Sequence, residues 1–282
     1  MTINKNKEKP FFQNFNEKDW EFVYPPAIQD EHLSSIFLEA VDMLDYDDET
    51  AEEVFKKIIA KYPYYIDAYN HLSIAFRNQN KGLESLLCAE KAYNIGKESI
   101  PKEFFKKKNN IVWLFLGNRP FLRAWQIYAM ECAAHKDYEK AIELFKEILS
   151  WNAGDNQGIR YLLLETCFKM KDYEQANKIV RKYRDDYSIE FAFGAVAIAI
   201  LNDDIKLADR LLQTAVKTNE YFVAEVVKSK HVKPVAHRIP GEPFFEAGIP
   251  AGSIQEAYDY WSRNKELYTN KKIVEYFQSR AL

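Results

Sequence analysis

Asp137-Tyr138-Glu139-Lys140-Ala141-Ile142-Glu143-Leu144-Phe145-Lys146-Glu147-Ile148 is the stretch on which the fold turns. After the opening Asp-Tyr pair it runs as an amphipathic helix, with Ala141, Leu144, Phe145 and Ile148 along one face. Its opening recurs as Asp172-Tyr173-Glu174-Gln175-Ala176 and, more loosely, as Asp204-Ile205-Lys206-Leu207-Ala208. Upstream, Ala51, Phe55 and Ile58 keep the internal spacing of Ala141, Phe145 and Ile148, and Ser85, Ala89 and Ala92 follow it again. Small anchor residues therefore stand at 51, 85, 141, 176 and 208, with separations of 34, 56, 35 and 32; the long step equals one 34-residue repeat plus 22 inserted residues. Two antiparallel helices approach to about 8–10 Å only where small side chains occupy the crossing. The larger Phe55, Phe145 and Leu212, four residues beyond three of the anchors, fill the space beside the next hairpin.

A period near 34 with a small residue early in the second helix resembles the tetratricopeptide repeat superfamily. Tyr69 and Trp125 fall where that motif has a large aromatic, and the resemblance covers roughly residues 31–220. It implies an all-α fold: a right-handed superhelical stack of about five helix hairpins, at 31–63, 66–96, 121–152, 157–187 and 190–218. The motif residues are structural, so the resemblance carries little about function. Residues 97–120 form an insertion whose Phe104–Lys108 and Ile111–Leu116 runs suit an extra, partly buried helix. Residues 1–30 form an aromatic-rich arm. Its first ten residues are expected to be loose and the rest to pack on the first hairpins or to occupy the groove until a partner displaces it. Residues 221–282 begin with an irregular stretch (Pro234, Pro240, Gly241, Pro243, Gly248, Pro250, Gly252). Ser253 and Glu256 then have capping-box spacing and start helices that cap the last hairpin.

Composition narrows the classes. Hydrophobic residues make up 47% and charged residues 29%, enough for a continuous core with a charged exterior, while 9 Gly and 10 Pro disfavour a turn-rich β protein. A net charge of −3 lacks the basic excess of a general nucleic-acid or anionic-membrane surface. Cys88, Cys132 and Cys167 are few, scattered and odd in number, which fits a reducing compartment. The polar N-terminus has no apolar signal region, and the apolar run Phe191–Leu201 is about half of a bilayer span. A cytoplasmic protein without membrane insertion is expected.

A second resemblance rests on Asn118-Arg119-Pro120-Phe121-Leu122-Arg123-Ala124, on Asp155-Asn156-Gln157-Gly158-Ile159-Arg160, and on Gly252-Ser253 with Glu256-Ala257. These runs look like segments of tetratricopeptide proteins that include the suppression-of-tumorigenicity-seven family. The resemblance implies a helical-repeat protein and transfers no catalytic residue.

No metalloprotease, P-loop, nucleophile-elbow or dinucleotide motif occurs. His32, His71, His135, His231 and His237 have no metal-ligand spacing, although His231 and His237 could meet a carboxylate such as Glu242. Cys132 and Cys167 read as buried core residues. No cofactor, metal or catalytic residue is expected. The candidate binding residues follow from register, because early positions of each first helix face the concave groove. Arg123 and Arg160 open two first helices, with Asn118, Arg119, Asp155, Asn156 and Gln157 just before them and Gln126, Tyr161 and Glu165 further along. Arginine forks and amides near helix N-termini suit a carboxylate, phosphate or peptide backbone. The competing reading makes Asp155 or Asn156 a helix cap, with Arg160 paired to Asp155 to fix the turn.

Three functions are open. An interaction module would hold a peptide or partner helix in its groove. An enzyme would place its site in the 97–120 or 219–252 segments. An RNA-binding repeat would use Lys102, Lys106, Lys107, Lys108 and the groove arginines, against the charge balance. Exposed aromatics at both ends would also permit a homo-oligomer.

Overall fold

The small anchors do what their spacing predicts. The structure, a computed structural model, describes residues 8–235 and 248–280. It divides into two compact units, Met1–Arg160 and Tyr161–Leu282. The first unit holds three helix hairpins: α1 (Glu31–Met43) with α2 (Asp48–Lys61), α3 (Ile66–Asn78) with α4 (Gly82–Glu98), and α5 (Arg119–Ala134) with α6 (Tyr138–Trp151). Helix α7 (Ile159–Met170) begins at the boundary. The second unit continues with α8 (Tyr173–Lys182), then α9 (Ile189–Leu201) paired with α10 (Ile205–Thr218). Four shorter helices follow: α11 (Phe222–Val227), α12 (Ile254–Arg263), α13 (Lys265–Tyr268) and α14 (Lys271–Gln278). This is the expected all-α stack of tetratricopeptide-type hairpins.

The five anchors Ala51, Ser85, Ala141, Ala176 and Ala208 are all 0% exposed, as close helix crossings require. The recurring aspartate is a helix cap. Asp47, Asp137, Asp172 and Asp204 each accept a hydrogen bond from a backbone N–H three residues on, at the start of a second helix. Lys136, Lys171 and Asp203, each directly before such a cap, have φ of 66°, 61° and 60°, so a left-handed residue followed by a cap makes the tight turn. Ser85 carries the anchor position with a hydroxyl. It donates to the Ser73 carbonyl (2.8 Å) while Ser73 Oγ donates to the carbonyl of Ser85 (2.9 Å), so the buried polar groups satisfy one another.

Glu52 ties hairpin one to hairpin two. Its buried carboxylate accepts from Lys81 Nζ (2.8 Å) and Gln79 Nε2 (2.9 Å), both at the α3–α4 turn, and from Lys56. Burial pushes its pKa up, but the hydrogen bonds from Lys56, Lys81 and Gln79 outweigh it and hold the carboxyl at about 2. A folded pKa below the unfolded one gives stability that is present above the ordinary glutamate value and lost as pH falls towards 2. Replacing Glu52 with Gln is therefore expected to flatten the fall in melting temperature over that acid window. An unchanged acid slope in thermal denaturation would contradict it.

The end of the N-terminal arm packs on the first hairpins through Tyr24 and Ile28, but its earlier part forms two strands that pack on the third hairpin. Phe11–Asn14 (β1) and Trp20–Val23 (β2) pair antiparallel, with Phe12 opposite Phe22. These two rings are buried against Phe121 of α5, at centroid distances of 5.7 and 6.5 Å. Of the first ten residues, expected to be loose, residues 1–7 lie outside the described ones.

The insertion differs from expectation. Instead of an α-helix through 111–116 it has short 3-10 turns at Lys102–Lys106 and Leu116–Asn118. Its backbone groups are used elsewhere, which is the physical reason. Asn110 N–H donates to the Lys18 carbonyl (2.8 Å), Asn110 carbonyl accepts from Trp20 (3.0 Å), and Ile111 N–H donates to the Trp151 carbonyl (2.9 Å). Phe104 is buried between Trp20 and Trp151, at 5.9 and 4.8 Å.

In the second unit an aromatic cluster closes hairpin five. Phe222 of α11 lies 4.5 Å from Phe193 of α9, 5.1 Å from Tyr260 of α12 and 4.8 Å from Tyr268 of α13. Ser253 caps α12 through its Oγ, which accepts from Glu256 N–H (3.1 Å), but the Glu256 carboxylate reaches back to Gly252 N–H (2.8 Å) instead of Ser253 N–H, so only half of the capping box forms. Pro240, Gly241, Pro243, His237 and Glu242 lie outside the described residues.

Candidate functional site

The first turns of α5 and α7, where the sequence concentrates amides and arginines, are bound by their own neighbours. Asn118 is 0% exposed. Its Oδ1 accepts from Phe22 N–H (2.7 Å) and its Nδ2 donates to the carbonyls of Trp20 (2.9 Å) and Val112 (3.0 Å), so it joins arm, insertion and α5. Arg119 donates to the Trp113 carbonyl (3.2 Å) with its guanidinium 5.2 Å from that ring. Arg123 forms a fork on Asp67 of α3, with Nη2 at 2.9 and 2.8 Å from the two carboxylate oxygens. Asp67 is a partner the sequence reading missed.

Asp155 has φ of 45°, and its carboxylate accepts from the backbone N–H groups of Ile159 (2.6 Å) and Arg160 (3.2 Å). Arg160 Nη1 donates to the same group at 2.9 Å. This is the geometry of the turn-fixing reading. Gln157 Nε2 donates to the Leu122 carbonyl (3.0 Å) and to Gln126 Oε1 (2.7 Å), so these two amides clamp each other, while Asn156 is exposed beside them. In the second unit, Glu165 is buried and paired with Arg263, whose Nη2 also meets Glu190 at 3.0 Å. Burial pushes the Glu190 carboxyl up. Tyr161 lies 5.8 Å from the ring of Phe191. The candidates therefore fall into separate small networks rather than one cluster. Arg160→Ala is expected to destabilise the protein by about 2 kcal/mol, because it strips a buried carboxylate of its charge partner. Urea denaturation checks this; an unchanged midpoint would free Arg160 for a ligand role.

His231 meets Glu225, while Glu242, the carboxylate the sequence offers as a partner, lies outside the described residues. Its Nδ1 lies 2.9 Å from the buried Glu225 carboxylate and its ring stacks on Trp261 at 3.5 Å. Among the described residues no group of three or more His, Cys, Asp or Glu is placed to hold a metal ion, and no helix is long and apolar enough to cross a membrane. Cys132 and Cys167 are buried, and burial pushes the Cys132 thiol up to about 11.

One apolar concavity was not foreseen. Within the second unit, α8, α9 and α10 enclose an open groove of about 230 Å³. Ala192 and Ala195 leave room at its floor, Val180, Tyr183, Phe191 and Leu211 make its walls, and Arg181, Arg184 and Asp186 stand among its lining. Tyr187, 71% exposed, extends the apolar surface outwards. Small residues three apart on α9 are the signal in the sequence, but a helix so apolar on every side does not show which face stays open.

No curated protein matches the chain. Among solved structures, a tetratricopeptide repeat protein from Parabacteroides merdae is similar with a TM-score of 0.51 at 17% identity, covering 67% of each chain. The nearly identical TPR-like repeats of a kinesin light chain from Podosopora anserina are similar with a TM-score of 0.50 at 12% identity, covering 66% of this chain and 94% of that one. Both show the fold. The family model described as "Tcf25: Transcriptional repressor TCF25" matches residues 20–282, and the chain belongs to that family.

Proposed function

We propose that this chain is a protein-interaction scaffold that grips a peptide or partner helix in the groove among α8, α9 and α10. The observation that carries the reading is the groove itself, an apolar trough of about 230 Å³ open to solvent with arginines at its edge. It has room for an apolar anchor side chain, and the arginines can hold backbone or acidic groups beside it. The neighbouring Tyr161, read from the sequence as a groove residue, supports the wall through Phe191. Arg123 and Arg160 serve the stack in this reading and Asp155 shapes the turn between hairpins. The family's description adds repression of transcription, a role that a scaffold performs by binding rather than by chemistry.

Filling the groove tests it. Ala195→Trp puts an indole where the anchor would sit and leaves the helix core in place. Affinity capture from the native cell is expected to lose specific partners with the variant while the melting temperature stays within a few degrees. An identical set of captured proteins would sink the groove as the binding site. A reporter measurement run in parallel shows whether repression follows the same loss.

A further inference from the structure

The insertion between α4 and α5 carries a second surface that the groove does not explain. We propose that this segment, with the turn of the N-terminal arm, docks an acidic protein segment bearing bulky apolar side chains. Leu114 and Leu116 are 77% and 70% exposed, and Phe15 on the arm is 63% exposed with its ring 4.7 Å from that of Phe115. Apolar side chains grouped so openly mark an interaction site. The same segment supplies the charge. Residues 102–119 hold five basic residues against one acidic residue, in a chain of net charge −3. Lys102, Lys107 and Lys108 are exposed and form no ion pair among the described residues. A partner complementary to this surface is therefore negative and apolar together.

The surface is also fixed in advance. Asn110 is bound through both backbone groups to the arm, Ile111 to Trp151, and the Asn118 side chain holds arm and insertion by three hydrogen bonds. A pre-ordered patch loses little freedom on binding, which favours a protein partner of defined shape. Nucleic acid fits less well, because exposed leucines offer no stacking plane and the overall charge gives no attractive field. A lipid surface uses lysines and apolar tips as well, so the experiment separates it.

A random-peptide phage library is panned on the purified full chain. Recovered peptides are then measured by fluorescence anisotropy against two variants, Leu114→Ser/Leu116→Ser and Lys107→Glu/Lys108→Glu. All four positions are on the surface, and helical circular dichroism confirms that both variants fold. The expected result is a class of peptides rich in Asp, Glu, Leu and Phe whose affinity falls about tenfold or more with either variant. For that class, rising salt should weaken binding to the native chain. Recovery of no peptide sensitive to these variants overturns the proposal. So does insert-dependent binding confined to a single-stranded RNA or to phosphatidylserine vesicles measured in the same format.

Discussion

Replacing Gly96 with alanine is expected to destabilise the first unit by about 3 kcal/mol and to lower its melting temperature by about 10 °C. A Cβ at this position would lie 1.9 Å from Cδ2 and 2.6 Å from Cγ of Phe121, distances no relaxed contact allows. The ring has nowhere to go. Phe121 is 0% exposed and is surrounded by Phe12, Phe22, Tyr93 and Trp125 at centroid distances between 5.1 and 6.5 Å. Alanine gains up to about 1 kcal/mol in helix propensity over glycine, and the overpacking exceeds it. Differential scanning calorimetry reads the loss. Phe121→Leu should restore part of it in the double variant, since the two sites share one contact. A single variant more stable than the native chain would show that α4 and α5 can part without cost.

Asn118→Leu is expected to cost about 3 kcal/mol or more, although leucine keeps the volume. The change leaves the Phe22 N–H and the carbonyls of Trp20 and Val112 without their side-chain partner at a fully buried point, and each such group costs about 1–3 kcal/mol. The loss is directed at the arm. Limited proteolysis should cut sooner near Lys18, and the emission of Trp20 should move to longer wavelength, while the helical signal changes little. Equal protection of the arm in both proteins would mean that the β1–β2 hairpin is held by its aromatic rings alone.

Asn118 and Arg123 show where local sequence information stops. Both were legible as unusual polar residues at the start of a helix, but their partners stand 96 and 56 residues away. Nothing local names Phe22 or Asp67 as the other half. The Asp155–Arg160 pair is five residues long in sequence, and its turn-fixing geometry was among the readings open from the start. The arm's strands are short runs, Phe11-Phe12-Gln13-Asn14 and Trp20-Glu21-Phe22-Val23, either side of polar turn residues, and a high aromatic count signals packing without showing that the two runs pair. The apolar runs of the insertion favour a helix locally. Its backbone groups bond to the arm and to Trp151, and tertiary bonding of this kind overrides a weak local preference.

Anchors at 51, 85, 141, 176 and 208 and aspartates at 47, 137, 172 and 204 determined the hairpins, because helix crossing and helix capping each need a particular residue at a fixed offset within one repeat. Such local rules survive in a single sequence. Only the tertiary structure decided which polar residues are satisfied internally, which face of the apolar α9 opens into a groove, and that the lysines and leucines of the insertion stand exposed on one pre-ordered segment. Those are facts about distance between residues remote in the chain, and periodicity carries no record of them.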